Sequence, residues 1–74
     1  MKIHPTSIIS KEAEIGSDVE IGPFCVIKGR VRIGDGCVLE SHVSIGNEWG
    51  IVEIGKRNRF SAGAAVGGPP QDLS

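Results

Sequence analysis

Two cysteines are the whole thiol complement of this 74-residue chain. They are too few for the disulfide framework of a small secreted domain, and they lack the close spacing of a zinc motif. An excess of one charge is missing as well. Eight Lys and Arg stand against nine Asp and Glu, a formal net charge of −1, which offers no field for gathering nucleic acid. The basic run Lys56-Arg57-Asn58-Arg59 is short and reads as a solvated corner. The opening MKIHPTS has no apolar segment of a secretion signal, and no apolar run approaches membrane length. The expectation is a cytoplasmic protein without membrane insertion. One small domain, residues 1–74, is the ceiling for this length. An ordinary globule of that size is marginal because it buries little of its surface.

What the sequence does have is a period. The stretch EIGSDVEIGPFCVI, residues 14–27, carries Glu-Ile-Gly twice, six residues apart. Stepping by six from Ile3 gives Ile9, Ile15, Ile21, Ile27, Ile33, Leu39 and Ile45. Six is a multiple of the strand period of about 2 and not of the helical period of about 3.6. Two residues before these aliphatics lie Ser7, Ala13, Val19, Cys25, Val31, Cys37 and Val43, mostly small or β-branched. Residues two apart share one side of a strand, so both sets can point inward while their neighbours point out. Pro5, Pro23, Gly29, Asp35 and Asn47 come two residues after an aliphatic, where chain-turning residues belong. Each hexapeptide therefore predicts a short strand and a two-residue corner. Three of them close an 18-residue coil, and successive coils stack with parallel pairing.

After Ile45 the phase breaks, and Ile54, Phe60 and Val66 restore it with Val52, Asn58 and Ala64 at the inward partner positions. Three inserted residues near NEWGI account for the slip. The expectation is a longer corner at 47–51, with Trp49 as a packing cover rather than a platform for stacking a ligand. Stacking then defines three faces, with 3, 21, 39 and 60 on the first, 9, 27, 45 and 66 on the second, and 15, 33 and 54 on the third. Outward residues on the third face read Glu14, Arg32, Glu53, an alternating charge ladder, and Lys2 falls beside Glu20 on the first. The second face instead points Ile8, Val26, Ser44 and Ala65 outward, next to a corner with Phe24 and His42. An apolar stripe on a solenoid predicts a partner surface.

Candidates for chemistry are few. The Ile-Gly glycines recur in the repeat, and no Gly-rich loop opens a helix, so a phosphate-binding loop is not expected. Cys25 and Cys37 share an inward slot on different faces and read as core thiols. His4 and His42 hold different repeat positions and would not meet, and neither a metal-binding His cluster nor a Ser–His–Asp set is expected. No cofactor is implied. One segment leaves the pattern. The six-step asks for an aliphatic at 72, but the chain reads GGPPQDLS with Asp72 there. Residues 68–74 are therefore expected to begin an excursion from the coil, and such loops on rigid scaffolds carry sites.

The six-residue spacing resembles that of the hexapeptide-repeat acyltransferases. In order, IHPTSIISKEAEIGSDVEIGPFCVI, LESHVSIG and GGPPQDL resemble the start of the acyl-carrier-protein–UDP-N-acetylglucosamine O-acyltransferases. That resemblance implies an all-β fold, a left-handed parallel β-helix of about four coils. It also implies a homotrimer, an acyl carrier protein as donor and UDP-N-acetylglucosamine as acceptor, in the first step of lipid A synthesis. Gln71 and Asp72 are the implied contacts to the sugar nucleotide, and 68–74 the start of the substrate loop. Ser74 stands where that family commonly has Lys. The implied catalytic His, the base that deprotonates the sugar hydroxyl, matches neither His4 nor His42, so this segment alone is expected to be inactive. Two other readings stay open: a non-catalytic structural or oligomerising solenoid, and a hexapeptide acyl- or acetyltransferase with a different acceptor.

Overall fold

The computed structural model describes residues 1–67, the Trp49 side chain excepted. Its strands are β1 (Lys2–Ile3), β2 (Ile8–Ile9), β3 (Glu14–Ile15), β4 (Glu20–Ile21), β5 (Val26–Ile33), β6 (Val38–Leu39), β7 (Ser44–Ile54), β8 (Arg59–Phe60) and β9 (Ala65–Val66). No helix occurs among the described residues. Every pairing is parallel, and each joins residues one coil apart. The first face stacks β1, β4, β6 and β8, with Ile3, Ile21, Leu39 and Phe60 in register. Ile9, Ile27, Ile45 and Val66 align on the second face, and Ile15, Ile33 and Ile54 on the third. These are the three faces that the six-step predicts.

The core is the column inside the triangle. Val19, Ile21, Cys25, Ile27, Val31, Ile33, Cys37, Leu39, Val43, Ile45 and Ile54 are buried, and among the described residues no polar or charged one is buried with them. Ile9, Ala13, Ile15, Val52, Phe60, Ala64 and Val66 pack against this column from its two ends, where they remain partly exposed. Burial of each large aliphatic contributes roughly 1.5–3 kcal/mol, and a coil gains that only when another lies against it. Backbone N–H groups of one coil donate to carbonyls of the next, as in Ile8 N to Cys25 O (2.9 Å), Val26 N to Val43 O (2.9 Å) and Ser44 N to Ala64 O (3.0 Å).

Two features depart from a uniform strand-and-corner repeat. The corner at Gly29 does not interrupt its strand, so β5 runs through it, and β7 runs through the corner above. In the pairing of β5 with β7, Lys28 faces Gly46 and Arg30 faces Ile51, so residues 47–50 stand opposite the single Gly29. Ile51 is thereby back in register, and it points outward at 58% exposure. Second, left-handed backbone occurs three residues after the inward aliphatic, one later than the Pro, Gly and Asp residues that mark the corners. Asp18 (φ 57°), Phe24, His42 and Arg57 (each φ 59°) adopt it, with Gly36 and Gly63 at equivalent positions. A turn with Pro23 followed by a residue at positive φ has the order of a type II turn. Non-glycine residues there cost on the order of 1–3 kcal/mol, which the stacked ladder must hold in place.

Candidate functional site

The predicted sugar-nucleotide contacts, Gln71 and Asp72, lie outside the described residues, as does the rest of 68–74. The chain that leads to them is described up to Gly67, and its surroundings are specific. Asn47 Nδ2 donates to the Gly67 carbonyl, and Asn47 Oδ1 accepts from Gly50 N at 2.9 Å. Gly67 has φ 76°, and a Cβ there would stand 2.7 Å from Val52 Cγ2. Gly46 has φ 103°, and its Cβ would overlap Lys28 O at 2.0 Å. Both glycines are therefore required where the inserted corner meets the coil below and the chain above. An open depression beside this corner is lined by Glu12, Gly29, Arg30, Asn47, Glu48 and Gly50, and Arg30 Nε pairs with Glu12 at 3.2 Å across it.

The third face carries the predicted charge ladder. Arg32 lies between Glu14 (3.1 Å) and Glu53 (3.6 Å), with all three side chains mostly exposed. Lys2 and Glu20 are register partners but form no ion pair among the described residues. A further pair, Arg59 with Glu40 at 2.9 Å, ties part of the basic run to the coil below. These contacts are solvated and each contributes at most about 1 kcal/mol. They are scaffold.

On the second face Ile8, Val26, Ser44 and Ala65 align in register, with Ile8 66% exposed and the adjoining Phe24 55% exposed. The Phe24 ring lies 5.1 Å from that of His42, both on left-handed corners of successive coils. Thr6 Oγ1 accepts from Phe24 N at 2.9 Å and so caps this corner from below.

Other titratable candidates resolve into structural roles. Cys25 and Cys37 are free and fully buried. Their thiols donate to Glu40 O (2.9 Å) and Gly55 O (3.0 Å), carbonyls of the coil above. His4 Nδ1 bonds to Thr6 Oγ1 at 2.8 Å, within its own corner. Asp35 Oδ1 accepts from Ser17 N at 2.8 Å, closing a corner one coil away. Among the described residues no three His, Cys, Asp or Glu side chains gather as a metal ion would need, and no helix is long and apolar enough to cross a membrane. Sequence reading does not detect the role of Asn47. It places this residue at a corner, and one of the two bonds reaches a glycine twenty residues later.

The family model for the bacterial transferase hexapeptide (six repeats) matches residues 12–47, the part of the chain in which the six-step runs through the three faces. The chain belongs to this hexapeptide-repeat family. Its repeat fits the left-handed parallel β-helix, and that is the fold class of the stacked coils described above. Similar curated proteins carry the name acyl-(acyl-carrier-protein)–UDP-N-acetylglucosamine O-acyltransferase. One from Xanthomonas oryzae pv. oryzae is 54% identical over 70 residues, covering 95% of this chain and 26% of that protein. One from Polynucleobacter asymbioticus is 51% identical, covering 97% of this chain and 26% of the relative. One from Rickettsia bellii is 45% identical, covering 96% and 24%. The chain spans about a quarter of the length of these relatives.

Proposed function

We propose that this hexapeptide segment is part of an acyltransferase that moves a 3-hydroxyacyl or similar acyl chain from acyl carrier protein to a hydroxyl of UDP-N-acetylglucosamine, the first step of lipid A synthesis. The observation that carries the reading is similarity at 45–54% identity over 95–97% of the chain to proteins bearing that name. The segment GGPPQDL breaks the six-step, a departure that a purely structural solenoid would not need. In this reading Gln71 and Asp72 hold the sugar nucleotide. A carboxylate accepting sugar hydroxyls makes charge-assisted hydrogen bonds, the strong kind.

The chemistry divides between segments. A base removes the proton of the sugar hydroxyl, the oxygen forms a bond to the thioester carbonyl carbon, and the carbon–sulfur bond breaks to release the thiol. These residues contribute acceptor binding and scaffold, and the His that acts as base falls outside them. The protein works in the cytoplasm as a homotrimer, whose subunit contact uses the outward stripe Ile8–Val26–Ser44–Ala65. Transfer assays with acyl carrier protein thioester and UDP-N-acetylglucosamine test this directly. The protein carrying the segment should consume both, and the 74-residue segment alone should consume neither. Transfer to a different acceptor with no turnover of UDP-N-acetylglucosamine would return the segment to the wider group of hexapeptide transferases.

A further inference from the structure

Asn47 uses both ends of one amide at the place where the coil gives way to the Gln-Asp motif. Its oxygen closes the inserted corner through Gly50 N. Its nitrogen holds the carbonyl of Gly67, four residues before Gln71 and five before Asp72. The insertion itself creates this arrangement, because residues 47–50 occupy the space that Gly29 alone fills one coil below. Gly29 turns the same corner with no side chain at all, so turning the chain does not require an amide there. Gly67 itself has no room for a side chain, since a Cβ there would stand 2.7 Å from Val52 Cγ2.

We infer that Asn47 is a positioning residue for the acceptor-binding motif: it couples the inserted corner to the backbone from which Gln71 and Asp72 depart. The role rests on the sugar-nucleotide reading given above. It supplies a use for the insertion, which otherwise only interrupts the repeat.

Asn47→Asp separates the two bonds. The acid keeps an acceptor for Gly50 N–H and loses the donor to Gly67 O, whereas Asn47→Ala loses both. In the protein carrying this segment, Asn47→Asp should raise KM for UDP-N-acetylglucosamine roughly two- to tenfold, the loss of one neutral hydrogen bond, with kcat within about twofold of wild type. The Asn47→Asp/Asp72→Ala double variant should lose less than the sum of the two single losses, because part of what Asn47 does acts through Asp72. Additive losses would overturn the inference. Hydrogen exchange of the unliganded protein provides a readout independent of the sugar. Faster exchange confined to residues 65–74 in Asn47→Asp is expected. Unchanged exchange there, or faster exchange throughout the coils, would equally overturn it. An unaltered KM in Asp72→Ala would defeat the sugar-nucleotide reading instead, and exchange would still decide whether Asn47 anchors the segment.

Discussion

Ile33 lies directly in register with Ile54 on the third face, and on its other side with Ile15. It is 3% exposed, so it is both a core side chain and the middle rung of a stack. A carboxylate placed there would have aliphatic neighbours and no charge partner in the column. Ile33→Asp should therefore prevent folding, since it removes roughly 1.5–3 kcal/mol of burial and adds the larger cost of an unpaired charge in an apolar site. Far-ultraviolet circular dichroism lacking the β signal of wild type is the expected result. A native spectrum with an unchanged urea midpoint would contradict the inward placement.

Gly46 makes a different demand. Its φ of 103° and the 2.0 Å approach of a built Cβ to Lys28 O leave no room for even a methyl group. Gly46→Ala should destabilise by several kcal/mol, more than the ~1 kcal/mol of an ordinary glycine substitution, because backbone must move. Gly50→Ala, where nothing lies within 4 Å of the built Cβ, should be near neutral. Thermal melts of the two variants make the comparison.

The faces were legible because a strict six-step specifies two things together: which side chains point inward, and that three strands close a coil. Ile21, Ile27, Leu39 and Ile45 are buried as that pattern demands. Ile3 and Ile15 remain more exposed because they belong to the first coil, which has a neighbour on one side only. Corner conformations were less legible. Phe24, His42 and Arg57 adopt φ 59°, although bulky side chains disfavour it, because the stacked ladder sets the backbone and the residue accepts it. Continuity of β5 through Gly29 was hidden for the same reason: a corner that keeps its ladder bonds reads, one residue at a time, like any other turn. At the site, GGPPQDL stood out by breaking the repeat, but Asn47 did not. A corner Asn is ordinary until the fold brings Gly67 beside it.

The outward stripe on the second face carries the proposed subunit contact. Ile8 and Phe24 are more than half exposed, and Val26 lies between the Ile8 and Ser44 rungs. A ring of three copies closed by a heterologous contact would cover this stripe. Val26→Glu puts a charge at its centre and should shift sedimentation from trimer toward monomer without loss of the β spectrum, because the side chain points away from the core. A wild-type protein that sediments as a monomer would remove the interface.

Two aspartates separate acceptor binding from scaffold. Asp72 is the proposed acceptor for sugar hydroxyls, whereas Asp35 accepts from Ser17 N at 2.8 Å in a corner of the coil. Asp72→Ala in the protein carrying this segment should lower kcat/KM for UDP-N-acetylglucosamine by roughly ten- to a hundredfold, the loss of about 1.5–3 kcal/mol for a hydrogen bond to a charged group. Its melting temperature should hardly move, since a contact to the sugar nucleotide adds nothing to the stability of the free protein. Asp35→Ala should show the opposite pattern. Losing a side-chain cap on a backbone N–H costs about 0.5–2 kcal/mol, which lowers the melting temperature and leaves kcat/KM near wild type. Steady-state kinetics and thermal melts on the same two preparations therefore form a crossed comparison. If Asp72→Ala matches wild type in kcat/KM, residues 68–74 are an ordinary surface excursion, and the sugar contacts must come from another part of the protein.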